Sequence, residues 1–227
     1  GAIANRATAV FVSSDAFRAF LPSNCVMYTS HNIDRAALTY RDVRRVSSRN
    51  TAPIRVRFWG LIRHERVNRE VIDNLANDPR FELYYHGSEG VVASDLRQHV
   101  MGRRAQNVHF HGAYLPEERY VFASDTDLLL NVYDDDATTT YAMGNKFYDG
   151  IAFYIPQLCT VGSYMGERVA RSQVGLEVDP LASGFADAIY DYYQGISWAH
   201  FEAKCDQEMA SVMSEYEDTV RAIARIV

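Results

Sequence analysis

The chain has 227 residues, 48% hydrophobic and 23% charged, with a net charge of −6, which excludes disordered, collagenous and disulfide-stapled classes and leaves room for one large domain or one and a half ordinary ones. Twenty-three basic residues against 29 acidic ones argue against a partner such as nucleic acid, whose backbone must be neutralised. Cys25, Cys159 and Cys205 form no C-x-x-C pair, as expected of reduced, buried thiols in a cytoplasmic protein. No charged-then-apolar leader opens the sequence, and runs such as Ala9–Val12 and Leu128–Leu130 are far shorter than the ~20 residues that cross a bilayer.

In chain order, residues 8–13 read as a strand, 15–20 as a helical stretch and 26–29 as a second strand. Residues 1–34 are too few for a domain of their own and read as the tail of a preceding one, with 35–53 as a linker. Ten arginines lie between Arg35 and Arg69 against two acids, while ten acids and one base, Lys204, occupy 177–220; the arginines are either a solvated face or a positive wall near an anionic ligand.

From residue 54 onward β-rich runs alternate with helical ones, the signature of crossovers onto a parallel sheet. Strands are predicted at 54–59, 81–86, 107–111, 127–132, 157–161 and 175–178. Helices are predicted at 65–77, around Val92, Leu96 and Val100, from Pro116 to Phe122, at 139–153, 165–172 and 185–193. Ser197 then caps a long helix whose apolar residues, from Trp198 through Phe201, Cys205, Met209, Val212, Tyr216, Val220 and Ile223 to Val227, keep spacings of three and four and call for a partner along its whole length. The expected fold is α/β: a Rossmann-like, doubly wound parallel sheet of about six strands, occupying 54–227.

In such a sheet ligands sit at the carboxyl ends of the strands, here the loops 60–63, 86–90, 112–115 and 134–145. Neither G-x-G-x-x-G after the first strand nor a phosphate-binding G-x-x-x-x-G-K-[ST] is present. The informative stretch is Gly144-Asn145-Lys146-Phe147-Tyr148-Asp149-Gly150, which runs on to Pro156 and places Lys146 and Asp149 three residues apart near the positive end of a helix. Taken with Gly60–Arg63, Phe110-x-Gly112-x-Tyr114, Ser124–Asp127, Arg168-Val169 and Gly175-Leu176, it resembles the C-terminal, donor-binding domain of GT-B glycosyltransferases, group 1-like, whose helix reads roughly K-x-x-E-x-x-x-x-G-x-P. Val12–Ser14 and His31–Asp34 resemble the end of that family's acceptor domain and its crossover. The resemblance covers nearly the whole chain, most specifically 54–179.

The resemblance implies a hexosyltransferase-type enzyme that moves a sugar from a nucleotide-diphosphate sugar to a polysaccharide or glycolipid without metal or other cofactor. Asp149 takes the place of the family acid that receives the ribose hydroxyls, one methylene shorter than the usual Glu. Arg63 and Lys146 match the cations that neutralise the diphosphate and stabilise charge on the leaving group, helped by backbone amides at Gly144 and Asn145. Tyr114, beside Ala113, matches the loop bordering the base. Tyr141 stands eight positions before Asp149, where many retaining members carry an acid, so the stereochemistry stays open. The general base and acceptor pocket are expected on an N-terminal domain, a partner whose absence would leave this chain a fragment with little activity. The expected location is the cytoplasm, with Arg41–Arg49 a candidate contact for an anionic inner membrane face.

Other readings stand beside it. Lys146 and Asp149 are also spaced for a surface ion pair. Asp134-Asp135-Asp136 suits a D-x-D transferase that holds a divalent cation, or simply the acidic start of a helix. His86, His109 and His111 are candidate zinc ligands. A nucleotide-sugar epimerase and a non-enzymatic interaction or regulatory module complete the alternatives.

Overall fold

The computed structural model describes residues 4–40, 52–88 and 90–226. Near the start, β1 (Val10–Val12) and β2 (Met27–Thr29) form a small parallel pair joined by a 3-10 turn at Asp15–Phe20. Asp34 then caps α1 (Arg35–Thr39), its carboxylate accepting from the Ala36 N–H at 2.9 Å. The first part of the expected linker is therefore helical, and Ala37 is 3% exposed in the core; Arg41–Thr51, including the candidate membrane contact, lie outside the described residues.

The main sheet contains β3 (Ile54–Trp59), β4 (Phe81–His86), β5 (Val108–Gly112), β6 (Leu128–Asn131), β7 (Gln157–Thr160) and β8 (Gly175–Val178), all parallel, in the order β5-β4-β3-β6-β7-β8. The period of two on β3 divides the protein into two cores. Ile54, Val56 and Phe58 pack with α2 (Glu65–Leu75), α3 (Val91–Arg103) and α8 (Phe185–Gln194). Trp59 and, on neighbouring strands, Leu129 and Cys159 face α4 (Glu118–Ser124), α6 (Asn145–Ala152), α7 (Tyr164–Ser172) and the start of α9 (Trp198–Ile226). Each fully buried Leu, Ile or Phe contributes about 1.5–3 kcal/mol, so this alternation fixes the register of the central strand. All three cysteines are free and buried.

Three sequence expectations change. The single helix over 139–153 is two: α5 (Ala137–Tyr141) and α6, separated where Ala142 and Gly144 turn extended. Asp136 fixes the first by accepting from the Thr138 and Thr139 N–H groups, and buried Met143 holds the chain between them. Four arginines of the arginine-rich stretch are tied into ion pairs rather than left as an open wall, Arg55 with Asp127 and Asp125, Arg57 with Asp125, Arg66 with Asp134 and Arg69 with Glu65, while Arg63 stays exposed. Finally, α9 is not apolar-packed throughout. Phe201, Cys205, Met209 and Val212 are buried, but farther along Thr219 and Ala222 are the buried ones while Val220 and Ile223 are exposed, because Thr219 turns inward to donate from Oγ1 to the Thr29 carbonyl at 2.7 Å.

Gly87, just after β4, has no room for a side chain: a Cβ there would collide with the Gly60 carbonyl. Gly87→Ala is expected to cost about 1–3 kcal/mol through backbone displacement, a fall in Tm of several degrees by calorimetry.

Candidate functional site at the sheet switch point

From β3 the chain winds outward through β4 and β5, then returns to place β6 on the other side of β3. The loops after β3 and β6 consequently leave in opposite directions and open a crevice between them, the place where doubly wound sheets bind ligands. Gly60 begins the first loop at φ +131, a backbone angle that favours glycine. Tyr133 and Asp134 begin the second. The first turn of α6 comes beside both loops through Lys146.

Lys146 lies in the first turn of α6, with Gly144 as its extended N-cap and Asn145 as its first residue. Although it is only 8% exposed, its ammonium reaches the crevice, with Nζ 4.1 Å from the centre of the Phe58 ring and 5.1 Å from that of Tyr133. A Cβ on Gly60 would stand 3.7 Å from it. Among the described residues no carboxylate pairs with this ammonium. It is not the surface half of a helix ion pair.

Asp149, one turn on, is 5% exposed and goes to the other side of β3. The Trp59 indole N–H donates to its Oδ2 at 2.9 Å, and Arg119 Nε lies 3.8 Å from its Oδ1. Burial raises the Asp149 carboxyl above its ordinary range, opposed by Arg119, by the Trp59 hydrogen bond and by Lys146. Because Phe58 and Trp59 face opposite cores, Lys146 and Asp149 straddle the carboxyl end of β3 rather than sharing one contact surface.

Tyr114 lines a cavity of about 300 Å³ with Gly60, Leu61, Ser88, Pro116 and Arg119. It meets Phe122 edge-on at 5.4 Å, and its hydroxyl is pushed up by burial and by the Asp149 charge. Arg63 is exposed; its carbonyl receives the Asn68 side-chain amide at 2.9 Å, while its guanidinium is felt at His64. That imidazole is held below its ordinary range first by burial, then by Arg63, with Lys146 adding to the effect against Asp134 and Asp136. Arg63 and Lys146 both bear on the charge of His64, and Asp149 on that of Tyr114.

The aspartates of the D-x-D alternative are engaged locally. Asp134 pairs with Arg66 at 3.0 Å, Asp135 accepts from the Thr140 hydroxyl at 2.9 Å and Asp136 caps α5. His86 stacks on His111 at 4.5 Å and shares a 2.7 Å hydrogen bond with Arg57, while His109 meets Glu82. Among the described residues no three His, Cys, Asp or Glu side chains gather as metal ligands, and no helix is long and apolar enough to cross a membrane.

Trp59, Arg119 and Tyr133 join the site without having been singled out from the sequence. Trp59 reads there as one more buried strand residue. Arg119 sits among Glu117 and Glu118 in a segment that looks like a solvated helix start.

No protein-family model and no curated protein matches this sequence. Solved structures do. Sucrose-phosphate synthase from Thermosynechococcus elongatus superposes with a TM-score of 0.75 at 16% identity, over 99% of this chain and 60% of the other. Anabaena HepE, solved with UDP and glucose, gives 0.69 at 15% identity, over 99% and 65%. A glycosyltransferase from Rickettsia africae gives 0.64 at 14% identity, over 96% and 62%. The chain therefore spans less than two thirds of the length of these proteins. Its architecture, from the sheet order to the long last helix, is the C-terminal half of a GT-B fold.

Proposed function

We propose that this domain binds the nucleotide-diphosphate sugar of a hexosyl transfer at the crevice between β3 and β6. The observation that carries the reading is the Lys146 ammonium, nearly buried at the switch point and paired there with aromatic faces rather than with a carboxylate. Such a group is costly to bury alone and becomes favourable when an anion arrives. The α6 N-terminus, with the Gly144 and Asn145 amides, adds positive potential at the same place.

In this reading Lys146 and Arg63 face the diphosphate, Asp149 receives ribose hydroxyls and Tyr114 borders the base. As the bond between sugar and phosphate lengthens, negative charge grows on the leaving diphosphate, and in this reading the two cations stabilise it without a metal. The acceptor, a polysaccharide or glycolipid, and the base that takes its proton belong in this reading to an N-terminal domain. That HepE is solved with UDP and glucose supports a donor of this class.

Isothermal titration of the chain with UDP and with GDP tests the proposal. Saturable binding of one of them with Kd below about 1 mM, unaltered by a chelator, is expected. Binding of neither would overturn it, and loss of binding with chelation would transfer the reading to the D-x-D alternative.

A further inference from the structure

Arg119 stands between two carboxylates from distant parts of the chain. Its Nη2 donates to Asp34 Oδ2, the residue that caps α1 in the segment leaving β2. Its Nε lies 3.8 Å from Asp149 Oδ1 and is buried without a hydrogen-bond partner. Tyr120, next in sequence, donates its hydroxyl to the same Asp34 oxygen at 2.7 Å. Arg119 also lines the cavity shared with Gly60, Leu61, Ser88, Tyr114 and Pro116. One side chain therefore touches the cavity, the buried acid of the site and the segment that leads away from it.

We infer that Arg119 is a positioning residue of the nucleotide site, shared between Asp149 and Asp34, so that the placement of the segment carrying Asp34 sets how well Asp149 receives a ligand hydroxyl. The inference rests on the donor reading above for its ligand. A carboxylate accepts hydroxyl hydrogen bonds best when ionised. Asp149 is buried enough to resist ionisation, and the groups facing it are Trp59 from β3, Arg119 from α4, Asp34 ahead of α1, Tyr114 from the loop after β5 and Lys146 on its own helix. Of the two cations, Arg119 has the larger effect, and Asp34 works against it. With Nη2 held by Asp34, Nε stops short of a hydrogen bond to Asp149. If Asp34 withdraws, the guanidinium is released to close that gap; if Asp34 holds fast, the gap remains. A ligand diol could equally bridge it, donating to Oδ1 and accepting from the Nε–H.

The Trp59 indole N–H donates to Asp149, so its NMR resonance reports that acid's ionisation, and only one other tryptophan is present; Trp198→Phe assigns the two. Following the Trp59 resonance against pH, Arg119→Met should move the midpoint up, and Arg119→Lys should restore much of the change. Asp34→Asn, which retains an N-cap side chain for α1, should move it down. UDP and GDP affinity, measured at pH 5.5 and pH 8, should fall in Arg119→Met by more at the lower value. A loss of packing alone lowers affinity equally at both. Midpoints that do not move, or that move together in the same direction, overturn the relay even where wild-type protein binds nucleotide. Should Arg119→Met fail to fold, Asp34→Asn decides the matter alone. Opposed midpoint shifts in a wild-type chain that binds neither nucleotide overturn the donor reading, and with it the ligand assigned to this relay.

Discussion

Lys146→Met is expected to weaken binding of the nucleotide diphosphate by about 10- to 100-fold while leaving the domain folded. The substitution keeps an unbranched side chain of similar length and removes the charge that lies over the Phe58 and Tyr133 rings. A hydrogen bond to a charged group is worth about 1.5–3 kcal/mol, and each 1.4 kcal/mol is a factor of ten in affinity. Desolvating the ammonium opposes folding, so its removal should leave Tm unchanged or raise it. A large fall in Tm with unchanged affinity would make Lys146 a structural residue and remove the main support for the donor site. Titration calorimetry and a thermal melt of the same sample separate the two results.

The largest stability effect should come from Arg168 on α7. Its Nε donates to Glu208 at 2.6 Å and Nη2 to Glu215 at 3.1 Å, both on α9. Glu208 also accepts from the Ser172 hydroxyl, and Glu215 meets His31 Nε2 at 2.9 Å, while His31 Nδ1 meets the Tyr148 hydroxyl. Arg168 and Glu208 have side chains only 6% and 10% exposed, so Arg168→Met leaves a buried carboxylate without its cation. The expected cost is about 3–5 kcal/mol, a fall in Tm on the order of 10 °C for a chain of this size. Arg168→Met combined with Glu208→Leu should recover part of it, since no buried charge then remains unpaired at that position.

Glu215 gives this network a pH signature. His31 and Arg168 hold its carboxyl down at about 2, against 4.5 ordinarily, despite partial burial. A lowered carboxyl stabilises the fold fully above its unfolded value and loses that contribution as pH falls from about 4.5 toward 2. Denaturation midpoints of wild type and Glu215→Gln should therefore differ most above pH 5 and converge on acidification. A gap independent of pH would mean that the ion pairs contribute nothing specific.

The main sheet is legible in the sequence because β3 through β8 carry their apolar residues in the period of a half-buried or fully buried strand, and crossover helices such as α2 carry theirs in the period of a helix. The bounds of β3, β4 and β8 agree residue for residue with the sequence reading. The split between α5 and α6 was not legible: Tyr141, Ala142 and Met143 are acceptable helix residues, and the break depends on how Met143 and Gly144 meet the rest of the fold. The face of α9 misled for a related reason, since Val220 and Ile223 continue an apolar spacing whose inward direction is set instead by the Thr219 hydroxyl on β2. Lys146 and Asp149 were visible because their chemistry is local, a cation and an acid on one short helix. Arg119 was not, because its partner Asp34 is 85 residues away and no spacing rule links the two.

The long helix α9 has mechanical consequences. Its 29 residues make a rod of about 44 Å, gripped toward one end by the Phe201, Cys205 and Met209 packing and farther along by the Thr29 carbonyl. A rod held at two separated points resists bending far more than a loop does, so α9 ties the β1–β2 pair to the larger sheet. A displacement of one would tilt the strut and be delivered to the other as leverage, with α6 packed against the same helix.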